Sequence, residues 1–216
     1  MTFEPPVHVF GGIAEDALLH GTSVRTHNDV DVLVGRDELG TQLRNAQAIA
    51  FWSPEVRYAP IEGMPMVIVT TNGHLDLEIS VYDRTPDGTI FFHMLDADGR
   101  LIRIELSDGV FDHPMSTLDG VAVRTVSPLA LYQIRAGITM AGGFGPPRPK
   151  DITSQEALRT RFFPGASRES LQPTLTHVSM DWAVRRPVRY GAVAGPNHMV
   201  SASASPCVPP SPTHAT

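Results

Sequence analysis

The chain has 216 residues, 42% of them hydrophobic, with 23 acidic against 17 basic side chains and a formal net charge of −6. That length buries one good core with room for a small second unit, while the single cysteine, Cys207, excludes an intrachain disulfide and makes a reducing compartment the default. No apolar run approaches the roughly 20 residues that span a bilayer, and no basic segment precedes an apolar one at the N-terminus, so a cytoplasmic protein without a membrane partner is expected.

Val7 to His20 reads as a short strand, a Gly11-Gly12 turn and a helix. Glycines there let backbone come close to a ligand, and the free N–H groups at the start of the following helix suit a phosphate. A Gly-Gly pair alone is more often a plain turn, and Glu15 and Asp16 read as ordinary acids complementing the helix dipole. The run from Asn28 to Val34 is a strand in which Asp29 and Asp31 share one face while Val30, Val32 and Val34 share the other. Two like charges so placed repel, and the arrangement persists most easily with a cation between them. Hard oxygen ligands favour Mg²⁺, which takes one or two carboxylates and completes its shell with water and phosphate. Two solvated aspartates on a half-exposed strand account for the pair equally well, but not for its neighbours.

Arg36 to Phe51 has Leu39, Leu43, Ala46 and Ala50 at helical spacing. Strand signals follow from Val56 to Ser80, where Leu75, Leu77 and Ile79 alternate with Asp76, Glu78 and Ser80. A third carboxylate on a neighbouring strand completes a metal site or supplies a base beside it; an edge strand with a wet face explains Glu78 and Ser80 as well. Strands at Thr89 to Leu95 and Leu101 to Leu106 are joined by Asp96-Ala97-Asp98-Gly99-Arg100, a hairpin turn. Ser127-Pro128 starts a helix that runs to about Met140, with Ser as N-cap and Pro at the first position. Residues 141–151 are a Gly/Pro linker, and Thr153-Ser154-Gln155-Glu156 has the form of a capping box for a short helix bearing Arg159 and Arg161. Those two arginines and Lys150 either face a triphosphate or form a solvated basic face. From Gly191 the chain loses every Lys, Arg, Asp and Glu, the composition of a disordered tail.

Gly11-Gly12-Ile13-Ala14-Glu15-Asp16, followed by Arg25-Thr26-His27-Asn28-Asp29-Val30-Asp31, resembles the signature of the aminoglycoside and lincosamide nucleotidyltransferases. The joint pattern is far more specific than its parts. The likeness continues more loosely through Leu75-Asp76-Leu77, Val121 to Arg124 and Ser127-Pro128, covering about residues 7–140, with Lys150-Asp151 matching a Lys-Asp motif beyond. It implies an α+β fold, a small nucleotidyltransferase-type mixed sheet flanked by helices, with a short helical C-terminal part closing the cleft and a disordered tail. The implied organisation is a catalytic domain over 1–140, the linker over 141–151, a small helical part over 152–190 and the tail over 191–216. The implied activity is transfer of a nucleoside monophosphate from a triphosphate to a hydroxyl of a small aminoglycoside- or lincosamide-like acceptor, with release of pyrophosphate.

Carried over position by position, Asp29 and Asp31 bind Mg²⁺, and Gly11 and Gly12 lie against the triphosphate. Asp76 is the third carboxylate, as base or as partner in a second metal site. Arg25 either reaches a phosphate or pins the loop ahead of the metal strand, and His27 fixes that loop by hydrogen bonding, since Mg²⁺ prefers oxygen. Two departures stand out. Ile13 replaces the family's Trp, and the motif begins a few residues after Met1 where members carry a preceding helix, which implies a start upstream or a truncated copy.

Charge is uneven: residues 1–135 hold 19 acidic and 9 basic side chains, net −10, and residues 136–216 hold 4 and 8, net +4. An acidic catalytic domain favours a cationic acceptor and disfavours long nucleic acids. A glycosyltransferase also uses Asp-x-Asp but does not call for the glycine turn or the third acid. An EF-hand fails because Val32 and Leu33 fall where ligands and a glycine turn belong. A toxin-type nucleotidyltransferase acting on tRNA shares the core chemistry, and an inactive nucleotide-binding remnant is the non-enzymatic rival.

Overall fold

The computed structural model describes residues 4–179 together with the backbone of Val188–Arg189. The tail expected from residue 191 lies outside the described residues.

The chain enters through β1 (His8–Val9), turns into α1 (Gly11–Leu19) and returns as β2 (Asp29–Gly35). β1 runs antiparallel to β2, with His8 opposite Leu33 and Val9 opposite Val32. α2 (Leu39–Ala48) follows, shorter at both ends than the hydrophobic spacing predicted; the chain leaves the helix at Ala50, whose φ is +71°, and Phe51 turns back into the core covered by Leu39, Leu43 and Ala46. β3 (Trp52–Ala59), β4 (Val67–Thr71) and β5 (Asp76–Arg84) form a meander, and β5 lies parallel to β2. β6 (Ile90–Leu95) and β7 (Leu101–Glu105) extend it, their turn closed by Asp96, whose carboxylate accepts from the backbone N–H of Asp98 and Arg100 and from Arg100 Nε.

A hairpin of β8 (Ser116–Leu118) and β9 (Val121–Val123) packs on α1. α3 (Pro128–Ala141) starts as predicted, with Ser127 Oγ accepting from Ala130 N. α4 (Pro149–Phe162) opens at Pro149 rather than at the Thr153 capping box. Thr153 instead donates its hydroxyl to Pro149 O, and Glu156 binds Arg159 and Arg168. A 3-10 turn at Glu169–Leu171 leads to β10 (Thr174–His177), which pairs with β7, so the C-terminal part contributes a strand as well as helix. β11 (Val188–Arg189) pairs with β3. Among the described residues the mixed sheet has nine strands, larger than the small sheet expected. No helix is long and apolar enough to cross a membrane among the described residues.

Strand alternation sorts the core onto two faces. Val32 and Val34 of β2, with Leu77, Ile79 and Val81 of β5, pack with Ala46 of α2 on one side. Leu33 and Tyr82, next in the alternation, join Phe10, Ala14, Leu131, Ile134 and Leu158 under α1, α3 and α4 on the other. Along that second face the side chains change from apolar (Leu33, Tyr82) to carboxylate (Asp29, Asp31, Asp76, Glu78), and a cleft replaces the packing there.

Candidate active site

The parallel register sets Asp29 opposite Asp76 and Asp31 opposite Glu78, so four carboxylates lie on one face of two adjacent strands. Three of them, Asp29, Asp31 and Glu78, line a cleft of about 470 Å³ between the sheet and helices α1, α3 and α4. Asp76 does not line it.

α1 begins at Gly11, and its N-cap residue Phe10 supplies no capping side chain. Gly11 has φ +65°, and a Cβ there would sit 1.9 Å from Asp31 Oδ2, so only glycine lets the turn close on that carboxylate. A Cβ on Gly12 would meet Arg25 Nη2 at 2.6 Å. Gly12 donates its backbone N–H to Asp31.

Burial, and then the charges of Glu78 and Asp29, push Asp31 up to about 7, against the opposing pull of Arg135 and the Gly12 N–H. Glu78 is also raised, chiefly by burial; Arg57, whose Nη1 donates to Glu78 Oε2 at 3.0 Å, pulls the other way. Both carboxylates therefore hold protons more tightly than solvated ones, the kind of perturbation that accompanies functional carboxylates.

Cations from three elements face this acidic floor. Arg25 leans over Gly12, with Nη2 3.7 Å from Glu15 Oε2. Arg135 of α3 bridges Glu15 of α1 at 2.7 Å and Asp151 of α4 at 3.4 Å, and Arg148 donates to Asp151 at 2.7 and 3.0 Å. Lys150 lines the cleft beside them. The chain Glu15, Arg135, Asp151, Arg148 ties three helices around the opening. The acidity of residues 1–135 is therefore not concentrated in the cleft, whose five carboxylates (Glu15, Asp29, Asp31, Glu78, Asp151) face four cations (Arg25, Arg135, Arg148, Lys150).

The loop carrying Arg25 is pinned from below. Asp16 is 2% exposed; its carboxylate accepts from Val24 N at 3.0 Å and from His27 Nε2 at 2.8 Å. Asp16 is thus a buried loop anchor rather than a dipole complement, and His27 is the loop-fixing hydrogen bonder expected.

Among the described residues no group of three or more His, Cys, Asp or Glu converges as a finished metal cage. Mg²⁺ asks for less, since one or two carboxylates suffice when water and phosphate oxygens complete the shell. Asp29 and Asp31 offer that number on one face, and the burial and crowding that raise Asp31 are what a cation between them relieves. The pair fits the ion.

No protein-family model matches the chain, and no curated protein matches it in sequence. Solved structures do. The solution structure of the antibiotic-resistance factor ANT(2″)-Ia superposes with a TM-score of 0.52 at 18% identity, over 77% of this chain and 79% of that one. ANT(2″)-Ia in complex with adenylyl-2″-tobramycin gives 0.49 at 16%, over 77% and 82%. The lincosamide antibiotic adenylyltransferase LnuA, lincomycin-bound, gives 0.45 at 15%, over 71% and 85%. The chain has a nucleotidyltransferase-like fold.

On that fold the chain's own residues sort as follows. Gly11, Gly12, Arg25, Asp29 and Asp31 come together in the cleft. Asp76 opens β5 opposite Asp29, two residues before Glu78 and outside the cleft lining, and Glu78 holds the position facing Asp31. The edge-strand reading of Glu78 and Ser80 fails, because β5 is flanked by β2 and β4 and meets β6 at its far end, and Ser80 is buried. Lys150 reaches the cleft, while Arg159 is held by Glu156 outside it. Sequence reading missed Arg135 and Arg148; the Lys150-Asp151 match was the signal nearest to them.

Proposed function

We propose that the chain is a metal-dependent nucleotidyltransferase that moves a nucleoside monophosphate from a nucleoside triphosphate to a hydroxyl of a small antibiotic-like acceptor. The observation that carries it is the facing of Asp29, Asp31 and Glu78 against the Gly11-Gly12 turn, with Arg25, Arg148 and Lys150 around them. The fold shared with an antibiotic-resistance factor supports the choice of acceptor class.

Asp29 and Asp31 hold Mg²⁺, which when bound neutralises charge on the phosphoryl oxygens. Arg25, Arg148 and Lys150 bind triphosphate oxygens, and the glycine turn lets the backbone come close to them. Glu78 takes the proton of the acceptor hydroxyl as its oxygen bonds to the α-phosphorus and the bond to the pyrophosphate oxygen breaks. Asp76 strengthens the negative field that favours the cation beside Asp29. Arg57 orients Glu78, and its charge opposes the upward pull of burial on that carboxylate. We place the activity in the cytoplasm, where nucleoside triphosphates are available.

The test is transfer from α-labelled ATP, GTP, CTP and UTP, with Mg²⁺, onto pooled aminoglycosides, lincosamides and tRNA, beside Asp31→Asn. A labelled small-molecule product that disappears in the variant is expected. Label on tRNA alone would assign the chain to the RNA-modifying class, and no transfer by a folded protein would make it a nucleotide-binding remnant.

A further inference from the structure

Under the reactive carboxylate lies a second space. A cavity of about 110 Å³ opens beneath Glu78, walled by Tyr58, Met66, Phe92, Met94 and Phe144. Protein interiors are ordinarily filled to crystal density, so apolar room of this size is an exception. The cavity adjoins the cleft, with Phe10, Glu78, Ile134 and Ile138 lining both. Its polar wall is confined to Glu78, Ser80 and the Tyr58 hydroxyl, which accepts from Leu95 N; no Lys or Arg lines it. The cleft's cations all belong to the other space, so phosphate is drawn away from this one. Phe144, exposed at the rim, meets the Tyr58 ring in a tilted contact, with centroids 5.2 Å apart and planes at 58°.

Resting on the nucleotidyl-transfer reading, we infer that the acceptor carries a compact apolar group, which seats in this cavity while the acceptor hydroxyl reaches Glu78. A dry cavity of about 150 Å³ accommodates benzene, so about 110 Å³ suits a branched alkyl or small ring. Met66 and Met94 supply walls that adapt to shape. A wholly polar, polycationic acceptor leaves the cavity unfilled, and a nucleobase finds too few partners on its walls for its hydrogen-bonding edges.

The experiment is methyl NMR of the full chain carrying ¹³C-methyl methionine, titrated with cyclohexanol and separately with adenosine. Cyclohexanol is expected to shift the Met66 and Met94 signals and leave those of the exposed Met115 and Met140 in place. Ser80→Leu, which fills the cavity from β5, is expected to abolish the shifts, and Phe144→Ala, at the exposed rim, to weaken them several-fold. With labelled nucleotide, KM for butyl glucoside is expected to fall about tenfold below that for methyl glucoside, and the two to converge in Ser80→Leu. Shifts of Met66 and Met94 with adenosine alone, or with neither probe, overturn the inference. Transfer onto tobramycin without cyclohexanol shifts sinks the apolar seat and leaves nucleotidyl transfer standing. Cyclohexanol shifts without transfer to any acceptor do the reverse.

Discussion

Gly11 presses its α-carbon against the carboxylate of Asp31, so closely that a β-carbon would lie 1.9 Å from Oδ2. The contact fuses the phosphate-facing turn to the metal-facing strand. Gly11→Ala must move Asp31 aside and also hold φ +65° on an alanine, a combination costing about 1–3 kcal/mol of stability. Transfer is expected to fall by about 100-fold, since a misplacement of about 1 Å at a reacting group has that effect. Thermal unfolding and single-turnover kinetics check it; wild-type turnover in a folded variant would contradict the contact.

Asp31 keeps its proton to about pH 7 in the folded protein against 3.8 in its ordinary state. Between those values the native chain binds the extra proton, so stability of the metal-free protein falls as pH rises from about 4 to about 7 and levels off above. Mg²⁺ displaces that proton, so its apparent affinity rises by roughly tenfold per pH unit below about 7 and then flattens. Urea unfolding in chelator and Mg²⁺ titrations across pH measure both slopes. Asp31→Asn is expected to lose the second, and stability rising through this window would refute the assignment.

Glu78 and Asp76 are separable by substitution. Glu78→Gln removes the carboxylate that lines the cleft and is expected to lower kcat by about 100- to 10,000-fold, the usual worth of a positioned base. Asp76→Asn, outside the cleft wall, is expected to cost much less. Arg57→Ala removes the charge that draws Glu78 down and is expected to move the acid limb of the rate profile to higher pH. If Asp76→Asn proves the more damaging of the two, the base belongs to Asp76.

Asp16 is anchored to the loop it supports. Asp16→Ala leaves Val24 N–H and the His27 ring without a partner, for an expected loss of about 1–3 kcal/mol. Arg25 then loses its place over Gly12, so KM for the triphosphate is expected to rise more than kcat falls. Urea midpoints together with separate kcat and KM values test this; an unchanged KM would show that Arg25 does not bind phosphate.

Local chemistry wrote much of this molecule into its sequence. The alternation of Asp29 and Asp31 with Val30, Val32 and Val34 fixes which side chains share a face, because period two is a property of the strand itself. Ser127-Pro128 starts α3, and Asp96 closes its turn, because each needs partners only a few residues away. The glycine turn and the Asp-x-Asp strand come together as their spacing suggested. Tertiary structure decided the rest. Whether Asp76 or Glu78 faces the cleft depends on the parallel register of β5 against β2, and both residues satisfy the same alternation. Arg148 and Asp151 are a local i,i+3 pair, but Arg135 joins Asp151 to Glu15 across helices distant in sequence, where no periodicity links one charge to its partner. The apolar cavity beneath Glu78 exists because side chains from five strands and α3 meet there without filling the space, a result of packing that no single segment encodes.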